Sequence, residues 1–235
     1  MALLLPAIQN ARAAAGRSEC SSQLRQIGLA LQNYEDAYTR FPPASALQKF
    51  ADGSVQFGGW SIQSRLLPYL EDVNIHDQVN FELHYEHLAN TTVSGGAVPF
   101  FLCPMDQEER RTHNFSGVDV QVQGVSYGFN MGDWYVYGGA GPSALALRPR
   151  SPFYVNSSTR IRDLNDGTSK TMMAAEVKNL QSYVRDCDGL TNITDPMAIP
   201  GPDADPATIP EYAAGCSDKA DSGHSEWVDG HVHQT

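Results

Sequence analysis

Four residues near the end of the chain carry the clearest potential for chemistry: His224, Asp229, His231 and His233. Residues two apart in a strand point to the same face, so His231 and His233 can share a metal ion. Asp229 would add an oxygen, and the imidazole pair suits Zn- or Cu-type ions. The alternative is a pair of exposed strand histidines that ligate nothing. A second set is made of carboxylates: Asp186, Asp188, Asp195, Asp203 and Asp205 could supply oxygens to Ca²⁺. Their spacing is not that of an EF-hand, which leaves a solvated acidic loop as the plainer alternative.

Catalysis finds less support, and the chain is expected not to be an enzyme. There is no HExxH, and the serines and histidines are scattered without a readable triad. Glu176 and Asp163 could be posited as a carboxylate pair, but nothing in the sequence sets their separation. Asp166-Gly167-Thr168-Ser169 lacks the Walker spacing and its lysine, so it reads as a turn. The aromatic run containing Tyr127, Phe129, Trp134, Tyr135 and Tyr137 could stack on sugar rings or line a partner surface. The same residues are also ordinary strand residues that fill a core.

The bulk composition narrows the function classes. Apolar residues make up 41% of the 235, enough for a core, and 20 Gly with 14 Pro predict many loops. Sixteen basic against twenty-seven acidic residues give a net charge of −11. No basic stripe is available to replace the counterions of a nucleic acid, and no polybasic patch to meet a membrane. The cysteines are Cys20, Cys103, Cys187 and Cys216, with no CxxC pair to suggest a zinc ribbon. Four cysteines allow three pairings. The simplest joins Cys20 to Cys103 and Cys187 to Cys216, which would require an oxidising compartment. Four reduced, buried thiols are the alternative. The apolar run Ala2-Leu3-Leu4-Leu5 is too short to span a bilayer, yet the chain begins as if inside a longer apolar stretch.

The elements that must position these residues can be read from periodicity. Residues 6 to 38 predict one long helix, opened by Pro6 and rich in Ala7, Ala11, Ala13, Ala14 and Ala15. Leu24, Ile27, Leu31 and Tyr34 form a stripe for packing on a sheet, with Gly28 near it for a close approach. Arg12, Arg17 and Arg25 lie off the stripe, and Phe41-Pro42-Pro43 forces the helix to stop. Residues 60 to 70 predict a short helix or turn. Residues 98 to 104 predict a short buried edge strand closed by proline. Val118, Val120 and Val122 alternate with Asp119, Gln121 and Gln123, a half-buried strand, and β structure is expected to continue to 137. Another strand is expected over 172 to 177. A last strand at Glu226-Trp227-Val228 is expected to turn at Asp229-Gly230 into His231-Val232-His233. Between them, residues 186 to 222 contain five prolines and read as a long irregular surface excursion, which a Cys187–Cys216 bridge would staple. The organisation is then a helix in 1–43 and a β-rich head in 44–235 carrying the acidic loop 186–222.

The run Ala2-Leu3-Leu4-Leu5-Pro6-Ala7-Ile8-Gln9-Asn10-Ala11-Arg12 continues through Cys20, Leu24, Gln26-Ile27-Gly28-Leu29-Ala30, Asn33-Tyr34 and Phe41-Pro42-Pro43. It resembles the N-terminal region of the DUF1559 proteins, which are abundant in planctomycete bacteria. Further echoes are Gly59-Trp60, Leu66-Leu67-Pro68-Tyr69-Leu70, Phe101-Leu102-Cys103-Pro104, Asp166-Gly167-Thr168-Ser169 and His224-Ser225-Glu226-Trp227-Val228-Asp229-Gly230. Members typically begin with a type IV prepilin signal whose hydrophobic helix runs into the leucines seen here at 3 to 5. The resemblance implies that this chain lacks the leader and most of the membrane helix, and that many relatives extend beyond the position of Thr235. It implies an α+β, type IV pilin-like fold, with a long N-terminal helix on an antiparallel sheet and long irregular loops. It further implies export to the periplasm or cell surface, with the full-length form held in the inner membrane before assembly. Its partners would be other pilin-like subunits or type II secretion or pilus machinery, and Ca²⁺ would order a C-terminal loop as in pseudopilins. The alternative expectation is an extracellular solute- or glycan-binding module that uses the aromatic and acidic loop residues.

Overall fold

The computed structural model describes residues 4–46, 48–49, 55–56, 59–70, 73–106, 109–132, 151–185 and 217–231. The fold is α+β. It begins with helix α1, Leu4–Tyr38, whose 35 residues extend about 52 Å at 1.5 Å per residue. The predicted stripe is the packed face: Ile27 and Leu31 are buried, with Ala30 beside them, and Leu24 and Tyr34 pack half-buried against the same core. Arg12, Arg17 and Arg25 are exposed, as expected. Helix α1 ends when Thr39 turns to a left-handed φ of 57° while its N–H still reaches Glu35 O. The glycine expectation is corrected. A Cβ on Gly28 would meet nothing, whereas one on Gly16 would overlap the Met105 sulfur.

Instead of one continuous sheet, the described residues form four two-stranded antiparallel ladders. These pair β1 (Gln48–Lys49) with β2 (Val55–Gln56), and β3 (Arg110–Phe115) with β4 (Val118–Gln123). They also pair β5 (Tyr127–Phe129) with β6 (Ala174–Glu176), and β7 (Gln181–Arg185) with β8 (Ser217–Gly223). The β3–β4 hairpin turns through Ser116 and Gly117, both at positive φ, the geometry that matches strand twist in two-residue loops. Of the short helices α2 (Ile62–Leu66), α3 (Val73–His76) and α4 (Thr91–Ser94), α2 packs on α1 and α4 packs on β4.

Two predicted strands are not strands. Pro99–Phe101 forms a 3₁₀ turn. The backbone of Val98 is satisfied by a side chain, since Gln123 accepts from its N–H at 2.9 Å and donates to its carbonyl at 3.0 Å. This also explains why Gln123 is buried although its place in the alternation predicted solvent. Glu226–Val228 likewise lies outside any strand and crosses the core as a single segment. The end of the predicted irregular excursion is ordered, because Ser217–Gly223 is strand β8.

Trp60, Trp227, Tyr127, Phe101, Phe115 and Phe153 are the largest wholly buried side chains. The indole N–H of Trp60 donates to Leu83 O, and that of Trp227 to Gly96 O, so neither ring buries an unpaired donor. Phe153 meets Phe41 and Phe129 edge-on, linking the segment after α1 to β5.

Candidate functional site

The segment from Ser225 to Gly230 is buried at every residue. It is held by Ser61, whose N–H donates to Val228 O at 3.0 Å and whose hydroxyl donates to Trp227 O at 2.5 Å. Asp229 bridges to Trp60, and the N–H of Gly230 donates to Gly59 O. Gly230 is required here, because a Cβ would approach the carbonyl oxygens of Ala44 and Gly59 to 2.8 Å.

This segment carries two acids into the core. Glu226 and Asp229 are each 4% exposed. His113 on β3 meets Glu226 at 2.6 Å, and His231 Nδ1 meets Asp229 at 2.5 Å. Asp229 also accepts from the backbone N–H of His231 at 3.0 Å, so it caps its own turn, and it hydrogen-bonds the buried Tyr85 hydroxyl. The constellation holds on to protons. The hydrogen bond to Glu226 raises His113. Burial pushes the Glu226 carboxyl up, with Asp229 adding to the shift. Burial alone would lower His231, but its bond to Asp229 and the surrounding carboxylates outweigh that and raise it. Burial, then Asp229, Glu226 and Glu86, push the Tyr85 hydroxyl well above its ordinary range. Two buried acids are thus each matched by an imidazole, and the His113–Glu226 pair ties the C-terminal segment to β3.

Of the proposed metal set, Asp229 and His231 come together as a pair, and His224 sits at a left-handed φ of 54° with its carbonyl accepting from Val125 N. Among the described residues the one trio of metal-capable side chains whose ligand atoms converge is Cys20, Cys103 and Glu176. Its two sulfurs are already spent on the Cys20–Cys103 disulfide. Asp229 is occupied by His231 and Tyr85. His233, Asp186, Asp188, Cys187, Cys216, Trp134, Tyr135 and Tyr137 lie outside the described residues. Tyr127, the remaining member of the aromatic set, is wholly buried, and its hydroxyl donates to Gln23 Oε1 on α1 at 2.7 Å. Burial raises that hydroxyl's pKa, and its ring fills the core instead of facing a partner.

One spacing overlooked in the sequence is Gly124-Val125-Ser126-Tyr127-Gly128, which spells G-x-S-x-G. Ser126 is fully buried, its hydroxyl donates to Asp106 Oδ2 at 2.9 Å, and strand β5 follows it. The strand-to-helix turn that exposes a hydrolase serine is therefore not the setting of this residue. The His113–Glu226 and Tyr85–Asp229 contacts were also missed, although two acids flanking Trp227-Val228 were a signal that an apolar segment buries charge.

The other functional feature is the division of α1. Residues 6 to 19 are largely exposed, Ile8 by half, and burial starts at Cys20. There the disulfide to Cys103, 83 residues away, ties the helix to the head. No helix among the described residues is long and apolar enough to cross a membrane. A family model described as "Protein of unknown function (DUF1559)" matches residues 9–233. No curated protein and no solved structure matches the chain.

Proposed function

We propose that this chain, which belongs to the DUF1559 family of proteins of unknown function, is an extracytoplasmic pilin-like subunit that associates through the N-terminal half of α1. The observation that carries the reading is the helix's change of environment at Cys20. An isolated helix of a dozen or so residues is marginal in water, and most helical stability in proteins comes from packing a face. The exposed turns before Cys20 are thus suited to lie against neighbouring helices. Ile8 and the alanines at 7, 11, 14 and 15 offer small apolar contacts for that purpose. The Cys20–Cys103 disulfide supports an oxidising compartment.

Fractionating the native host tests the proposal. The expected result is full-length protein in the membrane fraction or in filaments sheared from the surface, with the head protected from cytoplasmic labelling. Recovery only as dispersed single protomers in the cytoplasm would overturn it. The second reading, a solute- or glycan-binding module, draws support from a half-buried arginine in the head that meets no described carboxylate.

A further inference from the structure

We propose that the head carries a receptor for a ligand carboxylate, built on the Arg65 guanidinium and walled by Tyr34, Tyr38 and Tyr69. Arg65 lies in the last turn of α2, where that helix meets the end of α1. Its guanidinium carbon stands 5.8 Å from the centroid of the Phe81 ring, and its Nε is buried without a hydrogen-bond partner. Among the described residues no carboxylate forms an ion pair with it. Burial lowers its pKa, and among the described residues Tyr34 and Tyr38 oppose that effect.

An arginine taken partly out of water costs free energy unless its donors are met. A carboxylate is the group whose geometry fits the guanidinium fork. The surrounding rings add to the fit. Tyr34 lies 4.5 Å from Tyr38 and 6.0 Å from Tyr69 between centroids, and the Tyr38 and Tyr69 hydroxyls are hydrogen-bonded. Tyr38 is 53% exposed, while Tyr34, Arg65 and Tyr69 are half-buried, so the site opens to solvent on one side. A cation with aromatic rings nearby suits a carboxylate carried on a ring, such as a uronic acid. The proposal does not depend on the pilin reading, and either can fail alone.

The test is the thermal midpoint of the oxidised protein titrated with sodium glucuronate and, separately, sodium acetate, against sodium chloride at matched ionic strength and against glucose. The expected result is a saturable rise with glucuronate that chloride and glucose do not reproduce. A matching response to acetate assigns the site to carboxylates in general, and a stronger response to glucuronate assigns it to acidic sugars; both support the proposal. Arg65→Lys keeps the charge and loses the fork, and should weaken binding about tenfold or more. Arg65→Met should abolish the response while leaving the ligand-free midpoint unchanged or higher, since it removes a charge that pairs with nothing described. No response in the wild-type protein overturns the proposal. An equal response in Arg65→Met overturns it as well.

Discussion

Glu226 and Asp229 are each met by a histidine, and this makes the fold sensitive to pH. His113, Glu226 and His231 are all raised in the folded chain, by the Glu226 bond, by burial, and by Asp229 against burial, respectively. A group raised on folding contributes stability below its unfolded pKa and loses it as pH rises through the folded one. All three have the same sign, so the denaturation midpoint should fall as pH rises from about 5 to about 8. The facing groups are Glu86, Arg111 and Tyr85, and burial and then Arg111 oppose the effect on His113. A His113→Gln variant should flatten the decline in its upper part; a midpoint that rises over the same range would contradict the assignment. Gln63 offers a second check. It is fully buried, and neither amide atom finds a partner. Gln63→Met should therefore be neutral or should stabilise by about 1–3 kcal/mol in urea unfolding, whereas a loss of that size would mean the amide is bonded. Little of this was legible in the sequence. A carboxylate looks the same in a list whether it will be buried or solvated, and metal ligation was the chemistry its neighbouring histidines suggested first.

Among the elements, α1 was the most legible, because a 3.6-residue stripe and a Pro-Pro stop are local signals. The stripe Leu24, Ile27, Leu31 and Tyr34 is the packed face, and the stop at Phe41 holds. What local signals could not supply was partner identity. The segment after Val98 looked like a strand because it is apolar, but Gln123 supplies its hydrogen bonds from a distant hairpin. Strand β8 was hidden in a polar sequence, Ser-Asp-Lys-Ala-Asp-Ser-Gly, that carries no alternation to read. The close approach was assigned to Gly28 when Gly16 makes it, because Met105 comes from a loop whose position no helical pattern reveals. The disulfide joins α1 to that same loop. Closing a loop of 83 residues should contribute about 4–5 kcal/mol by chain entropy. The double variant Cys20→Ser, Cys103→Ser should lower the unfolding free energy by a comparable amount, and a change within error would show that the bridge constrains little.

At the scale of the whole molecule, the structure is a head in which small ladders and short helices surround two tryptophans, carried on a helix longer than the head can cover. The α+β class could be read from the sequence, but the division into four ladders could not, since it depends on which strand finds which. A net charge of −11 favours a head that stays dispersed in solution. If the exposed turns of α1 are an association surface, Ile8→Glu should leave the head's thermal midpoint unchanged, because Ile8 is exposed and lies outside the core cluster, while reducing recovery in the assembled fraction several-fold.

The most direct test of the central claim is site-specific photocrosslinking from position 8 of the full-length protein in its own host, with Val118, exposed on the β3–β4 hairpin, as the control position. The account predicts crosslinks from position 8 to another copy or another pilin-like helix, and none from position 118. Equal crosslinking from both positions, or none from position 8 in cells that export the protein, would contradict it.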